Sequence, residues 1–287
     1  MKKIYIKLFD FLEIGDDFPT IIAGVLNLSP ESFYKGSIFI EPVKIKEVVS
    51  EMVKNGAKII DLGGRSTAPW SEKITIEEEL IRVSKAMEIV CKIIPNDIII
   101  SVDTQYREIA EKSFDIATKE KRKIIINDVS CLKTDPTLGD FVIDKDLPII
   151  LMASKSVPGD LCTIEDIINE FKITFDNLKI KGYDENKIII DPGIGHWVEN
   201  KTYIYDLKII SNLYKLKELN KPIIVAISRK SFIGSTLNIP DPENRLNGTL
   251  SSTSIAVYNG AHIVRTHDVT NQLLEIVKMA EEIRKNK

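Results

Sequence analysis

The sequence predicts a (β/α)8 barrel, and three observations predict it. Eight short β-branched runs recur along the 287 residues, each run is followed by a longer amphipathic stretch, and the runs are apolar almost throughout. Strands of that composition are buried on both faces, as in a parallel sheet covered by helices. Eight strand–helix units in about 270 residues match the size of one such barrel, with a doubly wound open sheet as the alternative.

The runs follow in order as TIIAGVLN (20–27), AKIIDLGG (57–64), DIIISVD (97–103), KIIINDV (123–129), LPIILMA (147–153), KIIIDPG (187–193), KPIIVAIS (221–228) and AHIVRTH (261–267). Between them lie helical patterns, among them 41–56, 75–94 and 163–182. Gly56, Gly182 and Gly260 stand where a helix hands over to a strand, the place of a left-handed C-terminal cap. Thr75 and Thr163 precede acidic first turns, as N-caps do, and Asp268 is expected to cap the last helix. No linker or repeat interrupts the pattern, so residues 1–287 read as one domain.

The totals exclude several function classes. Hydrophobic residues make up 44% and the mean hydropathy is -0.03, values of a globular chain with a large core. Lys and Arg total 39 against 42 Asp and Glu, so the net charge is -3 and no basic stripe calls for nucleic acid. No apolar run approaches the ~18 residues of a membrane span. Lys7 and Asp10 break the N-terminal apolar stretch, which reads as an ordinary start, not a signal peptide. Cys91, Cys131 and Cys162 are scattered thiols without disulfide or zinc spacing. The expected location is the cytoplasm.

In a barrel of this kind the chemistry sits at the C-terminal ends of the strands. Those ends carry Asn27, Asp61, Asp103, Asn127 with Asp128, Asp191, Ser228-Arg229-Lys230, and Arg265 with His267; the fifth strand ends instead in Met152 and Ala153. A lone Asp after a strand is more often a turn or cap residue, and Asp191 before Pro-Gly fits that bland reading. The coincidence of polar residues at seven of eight ends favours a site. Asp and Asn pair with the adjacent donors and acceptors of an aminopyrimidinone edge, and Lys230 donates to a ring carbonyl or nitrogen. Arg265 and His267 form a cationic pair suited to phosphate, and the helix start after Lys230 adds a second anion-binding element. Asn27 offers a hard oxygen to Mg²⁺ bridging phosphates.

Eight segments, in order, resemble the dihydropteroate synthase family of pterin-binding proteins: GVLNLSPESF (24–33), GAKIIDLGGRST (56–67), ISVDT (100–104), IINDVS (125–130), IIIDPGIG (188–195), SRKSFIG (228–234), NRLNGTL (244–250) and GAHIVRTHDV (260–269). The resemblance implies a barrel that condenses 6-hydroxymethyl-dihydropterin diphosphate with 4-aminobenzoate, releasing pyrophosphate. It implies that Asp103, Asn127, Asp191 and Lys230 hold the pterin, with Met152 against its face. Asn27 would bind Mg²⁺ with the diphosphate, and Thr67, Arg265 and His267 would contact the diphosphate region. Ser231 and Phe33 would receive the arylamine. A homodimer through helices late in the barrel, 243–259 and the C-terminal helix, is also implied. Arg229, beside Lys230, is expected to be a structural ion-pair partner.

The chain departs from the family in its loops. After the second strand the usual Gly-Gly-Glu-Ser-Thr-Arg-Pro-Gly reads Gly63-Gly64-Arg65-Ser66-Thr67-Ala68-Pro69-Trp70, so Ala68 replaces the loop arginine and Arg65 the glutamate. Lys35 stands where the first loop usually has an acidic residue, and His196-Trp197 replaces the commoner Phe-Gly. Three readings follow: the synthase itself with divergent loops, a related synthase for another arylamine or modified pterin, and a pterin-binding methyltransferase module or non-catalytic pterin binder.

Overall fold

The structure, a computed structural model, describes residues 3–29, 41–65, 73–195 and 198–286. An N-terminal hairpin of β1 (Tyr5–Leu8) and β2 (Leu12–Gly15) comes first. Eight parallel strands follow: β3 (Ile21–Asn27), β4 (Ile59–Gly63), β5 (Ile99–Asp103), β6 (Ile124–Asp128), β7 (Ile149–Met152), β8 (Ile188–Asp191), β9 (Ile224–Ala226) and β10 (Ile263–Thr266). Each pairs with its neighbour in the order β8-β7-β6-β5-β4-β3-β10-β9. The ring closes through the parallel bridge Ile190–Ile223 and the bond from the Ile190 N–H to the Pro222 carbonyl at 2.9 Å. This is the expected (β/α)8 barrel.

The helices are α1 (Pro42–Lys54), α2 (Ile76–Ile93), α3 (Arg107–Lys119), α4 (Pro136–Asp144), α5 (Ile164–Ile180), α6 (Tyr203–Ser211), α7 (Ser231–Leu237), α8 (Leu246–Tyr258) and α9 (Asn271–Lys285). Their starts and stops follow local chemistry. Thr75 forms a full capping box with Glu78, and the Thr163 hydroxyl accepts the Asp166 N–H at 3.1 Å. Gly56, Gly182 and Gly260 adopt φ of 94°, 81° and 112°, a positive-φ geometry that ends a helix and that residues with a Cβ rarely adopt. The last helix departs from expectation. Thr270, not Asp268, caps α9, and Asp268 turns to Arg229.

Side chains alternate across a strand, and that period of two builds two cores. Outward residues such as Leu62, Val102, Leu151 and Val225 pack under the helices. Inward, every barrel strand contributes an isoleucine to a single apolar layer, Ile21, Ile59, Ile99, Ile125, Ile150, Ile189, Ile224 and Ile263, and β3 adds Ala23. The hairpin presses Ile6, Leu8, Leu12 and Ile14 onto that layer from below. The N-terminus read as an ordinary start is therefore a plug for the barrel floor. Its strands alternate exposed and buried residues, a weaker signal than the continuous apolar runs of the barrel.

Candidate active site

Two residues above the isoleucine layer, the same inward face continues as Asp61, Ser101, Asn127, Met152, Asp191 and Arg265. A polar layer thus rests on an apolar floor, where buried polar groups must satisfy one another. Asp61 is its hub. Its Oδ1 accepts from the Ser101 hydroxyl at 2.5 Å and the Asn127 amide at 3.1 Å, and its Oδ2 accepts from Arg265 Nε at 2.6 Å. Arg265 Nη2 reaches on to Asp103 Oδ2 at 2.7 Å. Burial pushes the Asp103 carboxyl up to about 7, with Arg265 pulling against it. For Arg265, burial opposes the charge, but Asp61 and Asp103 outweigh it and hold the guanidinium protonated.

Asp191 and Lys230 form the second half of the site. Asp191 is 7% exposed, and its Oδ1 accepts the Gly193 N–H at 2.8 Å. Burial raises its pKa while Lys230 lowers it. Burial drives the Lys230 ammonium down to about 8 against the pull of Asp191, and Nζ donates to the Ile194 carbonyl. The adjacent cation goes elsewhere. Arg229, at φ 57°, grips Asp268 through Nε and Nη2, each at 2.8 Å, and donates Nη1 to the carbonyls of Pro242 and Glu243. The left-handed turn sends the two consecutive cations to different partners, and Arg229 is the structural ion-pair partner expected.

At the mouth, Ser228 Oγ accepts the His267 N–H at 3.3 Å and lies 3.1 Å from His267 Nδ1. The imidazole face is open to water. Partial desolvation of the ring, and then the Arg265 charge, lowers its pKa. Arg265 is committed to the Asp61 and Asp103 carboxylates, and His267 stands at the mouth beside Ser228. Asn27 ends β3 with its Oδ1 accepting the Ser29 N–H at 3.0 Å. Met152 is buried at the end of β7, and Ser231 opens α7 beside Lys230. Asp128 instead shapes its own loop, accepting from the N–H and hydroxyl of Ser130 and the N–H of Leu132. The sequence-predicted Thr67 and Phe33, with Lys35, Ala68, His196 and Trp197, lie outside the described residues.

Three groups escaped the sequence reading. Ser101 was legible, since it shares an inward face with Asp103 two residues on. Glu79 was not: it sits on α2, yet is 1% exposed and ties two loops together. It accepts Arg65 Nε at 2.7 Å and the Thr104 hydroxyl at 2.8 Å, while the Arg65 guanidinium lies 5.4 Å from the Tyr106 ring centre. Arg65 is thus anchored beside the site, not reaching across it. The third group is Lys201 with Asp206, both side chains fully buried behind the β8 loop. Among the described residues no cluster of three His, Cys, Asp or Glu could hold a metal on its own.

Comparison with known proteins agrees with this geometry. The family model for pterin binding enzymes matches residues 23–267. A curated relative from Clostridium beijerinckii, named dihydropteroate synthase, is 36% identical over 251 residues, covering 87% of this chain and 89% of its own. A dihydropteroate synthase structure from Clostridium difficile, solved in the presence of pteroic acid, superposes with TM-score 0.83 at 31% identity, covering 96% of this chain and 99% of that one. A Xanthomonas albilineans dihydropteroate synthase with 4-aminobenzoic acid superposes with TM-score 0.83 at 25% identity over 99% of both chains.

Proposed function

The chain belongs to the pterin-binding enzyme family, and from that premise we propose that it works as a dihydropteroate synthase, a transferase of folate biosynthesis. It joins 6-hydroxymethyl-7,8-dihydropterin diphosphate to 4-aminobenzoate. The observation that carries this reading is the polar layer itself: Asp61, Asp103, Asn127, Asp191 and Arg265 converge on one apolar floor with Lys230 at its edge. A flat heterocycle with an amino-pyrimidinone edge satisfies such a layer.

The residues divide the work. Asp191 accepts from the ring amino and N–H groups, Lys230 donates to the ring carbonyl or nitrogen, and Asp103 and Asn127 pair with the remaining edge. Met152 lies against the ring face. The C–O bond to the diphosphate breaks as the neutral arylamine lone pair forms the C–N bond, and pyrophosphate leaves with the bonding electrons. The ring nitrogens stabilise positive charge at the exocyclic carbon, so the protein holds and orients rather than abstracts a proton first. The proton that the new C–N bond makes acidic leaves afterwards. His267, at the mouth beside Ser228, suits a contact to the diphosphate region together with Thr67, and Arg265 adds positive potential there. Ser231 and Phe33 receive the arylamine.

Asn27 fits a role in holding Mg²⁺. Its amide oxygen keeps a second lone pair after accepting the Ser29 N–H, and a hard cation held by one such oxygen needs the diphosphate for its other ligands. Bound there, Mg²⁺ would neutralise charge on the departing pyrophosphate. We also propose a cytoplasmic homodimer. No described helix is long and apolar enough to cross a membrane. Exposed Ile255 on α8, with Met279 and Ile283 on the neighbouring α9, offer apolar side chains to a second copy.

The test is pyrophosphate release from the dihydropterin diphosphate with Mg²⁺, with and without 4-aminobenzoate. Amine-dependent release with a pteroate product is expected. Binding of the pterin without release would favour a different arylamine or a non-catalytic role.

A further inference from the structure

Among the described residues, Lys201 is the most completely buried cation outside the polar layer, with a fully buried side chain beyond the β8 loop. Its Nζ donates to the Gly193 carbonyl at 2.6 Å and approaches the Gly159 carbonyl at 3.4 Å. Asp206, the first-turn carboxylate of α6, lies 3.8 Å from that ammonium and accepts the Gly195 N–H at 2.8 Å. An ammonium kept from water needs such partners, because desolvating it alone costs several kcal/mol. The pair is an expensive arrangement for a loop unless the loop must be held in one place.

What the pair holds is the wall of the pterin subsite. Gly193 donates its N–H to Asp191, and Ile194 receives Lys230 on its carbonyl. Gly193 sits at φ 71°, and a Cβ there would stand 3.4 Å from Met152 Cγ and 3.6 Å from Gly159 Cα. The β7 loop is fastened to the same place, since the Ser154 hydroxyl accepts the Gly159 N–H at 3.0 Å and donates to the Val129 carbonyl at 2.9 Å. One ammonium thus joins two loops, one continuing from Met152 and one from Asp191.

We infer that Lys201 is a positioning residue for the pterin subsite: by drawing the carbonyls of Gly193 and Gly159 together, it sets the distance between Met152 at the ring face and the Asp191–Lys230 pair at the ring edge. It does not touch the substrate, because its side chain is sealed behind the loops it joins. The inference rests on the pterin reading of Asp191, Met152 and Lys230.

The test is steady-state kinetics of pyrophosphate release and calorimetric titration with 6-hydroxymethylpterin, applied to the wild type, Lys201→Met and Lys201→Arg. Lys201→Met removes the donor and is expected to raise KM for the dihydropterin diphosphate about tenfold to a hundredfold. KM for 4-aminobenzoate should stay within twofold, a split that loss of folded protein cannot produce. Should Lys201→Met fail to fold, Lys201→Arg decides. It keeps the charge beside Asp206 but moves the donors, and a severalfold rise in the pterin KM alone is expected. The inference is overturned if the pterin KM and the titrated affinity match the wild type in the folded variant, or if both substrates' constants rise equally. Failure of the wild type to bind 6-hydroxymethylpterin would instead overturn the pterin reading beneath it.

Discussion

Replacing Lys230 by methionine separates two effects of its ammonium that have opposite signs. Burial, working against the pull of Asp191, lowers its pKa from 10.5 to about 8. At about 1.4 kcal/mol per pKa unit, that corresponds to roughly 3 kcal/mol of unfavourable desolvation. The sign follows from proton counting. Below pH 8 native and unfolded chains both carry the proton, and the penalty is felt in full. Between pH 8 and 10.5 the native protein releases it first, so wild-type stability rises with pH through that window. Lys230→Met removes the penalty but also the bond to the Ile194 carbonyl, worth about 1 kcal/mol. The variant should therefore be more stable than the wild type by about 2 kcal/mol at pH 7, with the gap narrowing by pH 10. Pterin affinity should move the other way, by about 2 kcal/mol or roughly thirtyfold, the value of a hydrogen bond from a charged donor. Denaturant unfolding at the two pH values and calorimetric titration with 6-hydroxymethylpterin measure both. An unchanged affinity would remove Lys230 from the pocket, and a pH-independent stability gap would refute the desolvation argument.

Other perturbations probe separate parts of the same reasoning. Asp191→Asn still accepts the Gly193 N–H, so the fold should persist while pterin affinity falls by about 1.5–3 kcal/mol; equal affinities by calorimetry would contradict the assignment. Arg265→Met strands Asp61 and Asp103 and should cost about 3–5 kcal/mol at pH 8. The loss should shrink at pH 5, where Asp103, pushed up to about 7 by burial, takes its proton, and denaturant titration at both pH values checks it. Thr75→Ala breaks the capping box of α2 and should lower stability by about 1 kcal/mol without changing either KM.

The barrel was legible because its signal is repetitive. Eight β-branched runs bounded by turn residues leave little freedom, and the caps at Thr75, Thr163 and Gly56 add local agreement. The polar strand ends were legible for a related reason: a carboxylate or amide two residues beyond an inward isoleucine is conspicuous in an apolar run. Partnership was not. That Arg265 serves Asp61 and Asp103 is set by the curvature of the closed sheet, which brings β10 within reach of β4 and β5, and no spacing in the chain encodes it. Asp268 is the cap expected from the sequence, but Arg229, 39 residues earlier, pairs with it and Thr270 caps the helix instead. Lys201 and Asp206 resemble solvated residues of a loop and a helix start, and only the folded loops bury them.

The closure of the barrel places its weakest stitching at a telling point. Other neighbouring strands pair over three to five residues, whereas β8 and β9 meet through one bridge and the Ile190 bond to Pro222. Asp191 rises from one lip of that join, and Lys230 follows the other by four residues. A ring held between them acts as a clasp across the opening. On the proposed reading, binding at the site would be linked to closure of the cylinder, and whatever loosens the join would loosen the grip on the pterin as well.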